Sequence, residues 1–420
     1  MTDAGTGPAR LPVRGVPADE LLAALDAAHA GDLDWRGGRA FSLVYHADDE
    51  GLDAVLHEVG ARYLHENALN PAKYPSLVAM ERDVVAMAAG LFDGDPRAGT
   101  MTSGGTESIF LAVHTARSQG DEHGATTPNV VTAETAHPAF AKACHYLRVE
   151  HRSTPVGADG RADPGAVGAA IDGDTILVVG SAPCYPFGVI DPIEALAAVA
   201  LDRGVPMHVD ACLGGWLLPF WARLGEPVPP WTFEVEGVTS LSADLHKYGY
   251  AFKGASVILY RDRTALGHQW FLYDGWPGGL YGSPTTAGTR PAAPIAGAWT
   301  ALRYLGEEGY LRKAAEVREG TRAFLAAIDD RPELAVTHRP DLSVFEFAAA
   351  EGSGTDIGGV ADALDERGWN LDRQQGGLHV MISPYHRHVA DAFVADLDAA
   401  LAERRAGSGT AATYGATPAP

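Results

Sequence analysis

Leucines and alanines fall three and four positions apart in "ADELLAALDAAHA", the spacing of a helix with one apolar face. Similar spacing in "HEVGARYLHENALN" and "PSLVAMERDVVAMAAGLF" predicts two more helices before residue 100. From there the pattern changes to short β-rich runs separated by helical stretches: "NVVTAE", "TILVVGSA", "VPMHVDA", "GVTSLSA" and "ASVILY". Alternation of this kind predicts an α/β domain with a mostly parallel central sheet covered on both faces. After about residue 300 come two amphipathic helices, then "LAVTHRPDLSVFEFAAA" and "GLHVMISPYH" with a helix between and one after, which predicts a smaller C-terminal α+β domain. Both ends are rich in Gly, Ala, Pro and Thr and read as mobile tails. The expected division is a tail over 1–17, a helical segment over 18–60, a large domain over 61–300, a small domain over 301–405 and a tail over 406–420.

Composition narrows the partners. A length of 420 residues with 46% apolar content supports a sizeable core, and a net charge of -22 without an acidic block argues against nucleic acid or an anionic membrane. Cys144, Cys184 and Cys212 form no CxxC or other metal-ligand spacing, which suits reduced thiols inside a cell. The N-terminus has no apolar signal region, and no apolar run reaches membrane-spanning length. The expectation is a soluble, cytoplasmic protein with a small-molecule partner.

The chain has five lysines and 27 arginines, yet Lys247 and Lys253 stand six residues apart in "SADLHKYGYAFKG". Lysine becomes a covalent catalyst by condensing with an aldehyde, and pyridoxal phosphate is the cofactor that most often asks this of it. Such a cofactor also needs an anion site, a carboxylate for its pyridinium nitrogen and a flat group against its ring. "MTSGGTES" offers Gly104, Gly105 and Thr106 at a helix start, where N–H groups and the helix dipole favour an anion. "VPMHVDA" ends in Asp210, and "ETAHPAF" places His137 after another strand. Each has an ordinary reading: a capped helix, a turn aspartate, a structural histidine, two solvated lysines. Lys247 and its neighbour His246 follow a strand too, and ligands of open α/β sheets gather beyond the carboxyl ends of strands. His386 and His388 could chelate a metal but lack a matching carboxylate, so they read as surface residues and no metal is expected.

These residues resemble the sphingosine-1-phosphate lyase-like branch of the group II pyridoxal-phosphate-dependent decarboxylases. The matching pieces are "TSGGTESIFLAV", "TAHPAF", "SAPCYPFGVIDPIEALA", "HVDACLGGWLLPF", "GVTSLSADLHKYGYAFKGASV" and "WPGGLYGSPTTAGTRP". The resemblance implies a fold-type I, aspartate aminotransferase-like architecture and a homodimer with shared active sites. It makes Lys247 the Schiff-base lysine, Asp210 the partner of the pyridine nitrogen and His137 the ring-stacking group, with His246 beside the cofactor. Gly104, Gly105 and Thr106 match the phosphate turn. Gly282 and Ser283 match a piece that reaches the phosphate from the neighbouring subunit. Lys253 matches a lysine that holds the substrate's phosphate or assists proton transfer, and Tyr45, Asn67 and Tyr185 match other substrate-side positions.

Two positions depart from the lyases: Asn70 in "NALN" and Phe187 in "YPFGV" each replace a histidine. The implied activity is retro-aldol cleavage of a β-hydroxy amine, with Lys253, Tyr45 and Tyr185 as proton-transfer candidates. The alternative is an amino-acid decarboxylase; a third reading is a cofactor-binding protein without catalysis.

Overall fold

The computed structural model describes residues 11–415. Seven strands form the main sheet: β1 (Gly99–Thr102), β2 (Asn129–Ala133), β3 (Glu150–Thr154), β4 (Thr175–Ser181), β5 (Met207–Asp210), β6 (Val238–Ala243) and β7 (Ser256–Tyr260). Their order is β1-β7-β6-β5-β4-β2-β3, and only β7 runs antiparallel to its neighbours. The fold is α/β with a mostly parallel sheet, as the alternation predicts. β2, β4 and β5 are buried along their whole length, so they read as continuous apolar runs. β1 ("GTMT") and β3 ("EHRST") have no apolar alternation and lie at the two sheet edges.

A hairpin of β8 (Phe271–Tyr273) and β9 (Tyr281–Ser283) projects from the large sheet. The small sheet has the order β10-β11-β13-β12, built from Leu334–Val336, Val344–Ala349, Asp372–Arg373 and Leu378–Met381. The stretch Ala292–Asp329 joins the two sheets. It is two helices meeting at a kink, as expected there, and the break falls at Gly306, whose φ of +57° suits a residue without Cβ.

One helix expectation and one surface reading change. The segment "HEVGARYLHENALN" leaves the helix at Arg62, because Asn67 Oδ1 accepts the Leu69 amide and residue 67 bridges to Pro291. His386 is fully buried rather than a surface residue: its ring stacks on Phe41 at 4.5 Å, and Nε2 donates to the Ala40 carbonyl at 2.9 Å. His388 is exposed and faces Asp48 at 3.0 Å, and no group of metal-ligating side chains occurs among the described residues. No helix among them is long and apolar enough to cross a membrane.

Candidate active site

Lys247 sits in the turn after β6, on the carboxyl-end edge of the sheet. Its Nζ lies 3.0 Å from Asp244 Oδ2, and Asp244 is 2% exposed. Burial alone would lower the lysine and raise the aspartate; each offsets this for the other, so the ammonium is held well above its usual pKa and the carboxyl below. Asp244 Oδ1 is buried without a hydrogen-bond partner, in a site where a bound polar group would be expected. The preceding His246 accepts the Ala255 amide on Nδ1 and turns Nε2 toward Asp244 at 3.6 Å. Burial keeps this imidazole below its usual pKa, against the pull of Asp244.

Asp210 ends the neighbouring strand β5. Its Oδ1 accepts the Cys212 amide at 3.0 Å, which fixes the carboxylate and leaves Oδ2 for another donor. His137 follows β2 and accepts the Ala139 amide on Nδ1 at 3.1 Å, a bond that anchors its ring. Burial lowers its pKa despite the nearby Asp210 carboxylate, which keeps the ring neutral.

The Ser-Gly-Gly-Thr turn opens the helix Gly105–Glu122, and no side chain caps it. Its first amides are therefore open to an anion. Gly104 has φ +151°, a conformation reserved for glycine, and a Cβ there would sit 3.1 Å from the His246 ring. A Cβ on Gly105 would press on Cys212 Sγ at 2.8 Å and Asp244 Oδ2 at 2.9 Å. Glu107, four residues past Ser103, takes the Ser103 amide at 2.6 Å and the Thr286 amide at 2.8 Å. That second bond ties the turn after β9 to this chain's own Ser-Gly-Gly-Thr turn. Ser283 is buried there and donates to the Thr285 carbonyl.

Tyr45 and Lys253 form a pair near Lys247. The Lys253 ammonium lies 5.1 Å from the centre of the Tyr45 ring and donates to the Leu43 carbonyl at 2.8 Å. Burial, with the like charge of Lys247, brings its pKa down to about 8. Burial pushes the Tyr45 phenol up, although Lys247 pulls the other way. Tyr185 donates to Asp372 Oδ2 at 2.7 Å and stacks on His379 with centroids 4.2 Å apart.

A cavity of about 670 Å3 opens beside these groups, lined by His137, Tyr185, Phe187, His338, Asp372 and Tyr414 among others. Phe187 is not without an imidazole: His338, from the small domain, packs against it at 4.4 Å. Arg373 also lines the cavity but is tied to Asp362 at 2.7 Å and to Asp365.

Four residues were not found from sequence. Asp244 lay inside the quoted motif, and its place three residues before a lysine was the available signal. Asp372, His338 and Tyr414 arrive from far along the chain, and no local pattern announces them. Tyr414 belongs to the expected C-terminal tail. That segment is seated by the Gly407 amide on Asp356 and by Ser408 on Asp362, and the Tyr414 phenol lies 3.2 Å from His137 Nε2.

The structure does not bring Asn67, Asn70 or Gly282 into this cluster. Asn70 is exposed and caps the Ala72 amide, while Gly282 pairs with Leu272 in the hairpin. They share a face on which Leu69 lies against residue 288 and Trp270, Phe271, Leu272, Tyr273, Trp276 and Leu280 are exposed.

With this geometry in view, the comparisons with known proteins are specific. Residues 40–349 match the pyridoxal-dependent decarboxylase conserved domain. The chain belongs to the pyridoxal-dependent decarboxylase family. It is 39% identical to a sphingosine-1-phosphate lyase of Arabidopsis thaliana, over 95% of this chain and 74% of that one. It is 30% identical to a probable L-aspartate decarboxylase of Pyrococcus abyssi, over 92% of this chain and 98% of that one. Among solved structures, a Burkholderia pseudomallei sphingosine-1-phosphate lyase matches with TM-score 0.89 and 38% identity, covering 94% of this chain and 93% of the other. The chain is thus a pyridoxal-phosphate-dependent lyase, similar to the sphingosine-1-phosphate lyase-like branch of its family.

Proposed function

We propose that this enzyme cleaves the bond between Cα and Cβ of a phosphorylated β-hydroxy amine, of the sphingosine 1-phosphate kind, releasing an aldehyde. The residues fit the cofactor: a buried carboxylate oxygen without a partner, a glycine turn that a Cβ would fill, and open amides at a helix start. Lys247 would hold it covalently, Asp210 would accept its pyridinium N–H, His137 would cover its ring, and Gly104, Gly105 and Thr106 would face its phosphate with His246 alongside. When bound, pyridoxal phosphate supplies an electron sink for charge on the carbon next to the amine nitrogen.

The observation that carries the substrate reading is the Lys253 ammonium over the Tyr45 ring near Lys247. A second cation beside the cofactor lysine suits an anionic group on the amine, and below pH 8 it remains largely charged. Tyr45 and Tyr185 stay protonated there, so they orient a substrate hydroxyl instead of acting as free phenolates.

The rest of the substrate site comes from a second copy. The helix Ala18–His29 buries none of its residues and exposes Leu21, Leu22 and Leu25. An apolar hairpin and a bare amphipathic helix need a partner surface. A homodimer working in the cytoplasm would carry Asn67, Asn70 and Gly282 of one subunit to the other's site.

Incubation with sphingosine 1-phosphate should yield a long-chain aldehyde and phosphoethanolamine. The second reading is an amino-acid decarboxylase, favoured by Phe187 at the histidine position. Carbon dioxide from an amino acid, with no aldehyde from any phosphorylated amine, would establish it instead. Against it, Arg373, the arginine on the cavity, is engaged by two carboxylates and offers no free partner for a substrate carboxylate.

A further inference from the structure

Three distant segments converge on Asp372. Its Oδ2 accepts the Tyr185 phenol at 2.7 Å and its Oδ1 accepts the Ser42 hydroxyl at 2.8 Å. Ser42 is 1% exposed and belongs to the strip that also presents Leu43 and Tyr45 to Lys253. Opposite Asp372 in the β12–β13 ladder stands His379, fully buried, whose Nε2 donates to the Tyr185 carbonyl at 2.9 Å and whose ring lies against the Tyr185 ring. Tyr185 is therefore fixed in both ring plane and hydrogen direction. Its proton points at Asp372, so its oxygen presents lone pairs to the cavity.

We propose that Asp372 is the positioning residue and proton acceptor behind Tyr185, and that the pair serves as the base of the carbon-carbon cleavage. This rests on the retro-aldol reading above. The β-hydroxyl of the substrate gives its proton to the Tyr185 oxygen as Tyr185 gives its own to Asp372 Oδ2. The hydroxyl O–H pair becomes the second bond of the aldehyde carbonyl, and the Cα–Cβ pair stays on the amine-bearing carbon. One O–H and one C–C bond break, one carbon-oxygen π bond and one carboxyl O–H form, and no oxidant or reductant is needed.

A lone tyrosine at this position could not do this near neutral pH. Burial and the Asp372 charge both push its phenol up, so it must lose a proton only as it gains another. The groups facing Asp372 are the phenols of Tyr185, Tyr45 and Tyr414 and the imidazole of His379. Its neighbour Arg373 is turned to Asp362 and Asp365.

The test uses the holoenzyme and Asp372→Asn, which keeps an acceptor for Tyr185 and Ser42 and so preserves a purely structural role. The expected result is a kcat lowered about 100-fold, in the range of general-base catalysis, with loss of the acid limb of its pH profile. The cofactor absorbance and the affinity for an analogue lacking the β-hydroxyl should stay unchanged. Infrared titration should show a protonated-carboxyl band that is absent from Asp372→Asn and displaced in Tyr185→Phe. The double variant should be no slower than the slower single variant. Aldehyde release by Asp372→Asn within threefold of the parent, acid limb intact, overturns the relay alone. Absence of aldehyde from the parent enzyme overturns the cleavage reading and the relay with it.

Discussion

The sheet edge around Lys247 and the face around the β8–β9 hairpin differ in how much of their chemistry the chain satisfies by itself. At the edge, Lys247, Asp244, His246, Asp210 and His137 are buried or half-buried, and each is held by a named partner. On the hairpin face, six large apolar side chains are open, and the side chains of Asn67 and Asn70 bond to backbone amides of their own loop. The residues around Lys247 are satisfied within one chain, whereas the hairpin face leaves large apolar side chains open.

The largest effect should come from Lys247→Ala. It removes the amine and leaves Asp244 a buried carboxylate with no cation beside it, a strongly unfavourable arrangement. Turnover should fall at least about 1000-fold, ~4 kcal/mol in barrier terms, and the visible absorbance of bound cofactor should vanish. Lys247→Ala/Asp244→Asn should recover thermal stability without activity, which separates the folding role of the pair from the catalytic one.

The open face should break next. Leu272→Asp with Trp276→Asp adds charge to side chains that are 64% and 56% exposed, so the folded chain tolerates it. Sedimentation should report monomers, and activity should fall about 100-fold, ~3 kcal/mol, while free cofactor still binds Lys247. A variant that stays dimeric and active would show that this face is not the completing surface.

How much of this was legible follows the same contrast. His137, Asp210 and Lys247 each follow a predicted strand, because a parallel sheet puts its carboxyl ends on one edge. β1, β3 and β12 were not legible: they are short or polar, and pairing with neighbours makes them strands. The helical reading of residues 63–70 failed because an asparagine side chain offered the backbone a competing bond. Asp372 and His338 are set by the docking of the small domain, which no local period encodes.

A smaller effect should come from pH. Burial and Lys247 hold the Lys253 ammonium at about pH 8, so the charge is present below that value and is lost as pH rises through it. KM for sphingosine 1-phosphate should climb above pH 8 by up to about tenfold per unit, while a non-phosphorylated amine shows no such limb. Lys253→Met should abolish the limb, and Lys253→Arg should move it beyond the measurable range.

The smallest effect concerns the seam between the two regions. Tyr414 is half exposed, yet its phenol reaches His137 Nε2 at 3.2 Å and its ring lies 5.2 Å from that of Tyr185. The segment behind it is anchored: a Cβ on Gly359 would collide with the Arg405 carbonyl, and one on Gly407 would press on the Gly358 backbone at 2.8 Å. Tyr414→Phe removes one hydrogen bond at the cavity and leaves the ring, a loss of about 1 kcal/mol or roughly fivefold in substrate affinity. Gly359→Val lifts the anchor without touching the site, so it should cost affinity by a similar factor and add nothing in the double variant. If the two losses instead multiply, Tyr414 reaches His137 independently of its seat on the small domain, and the C-terminal segment is only a cover.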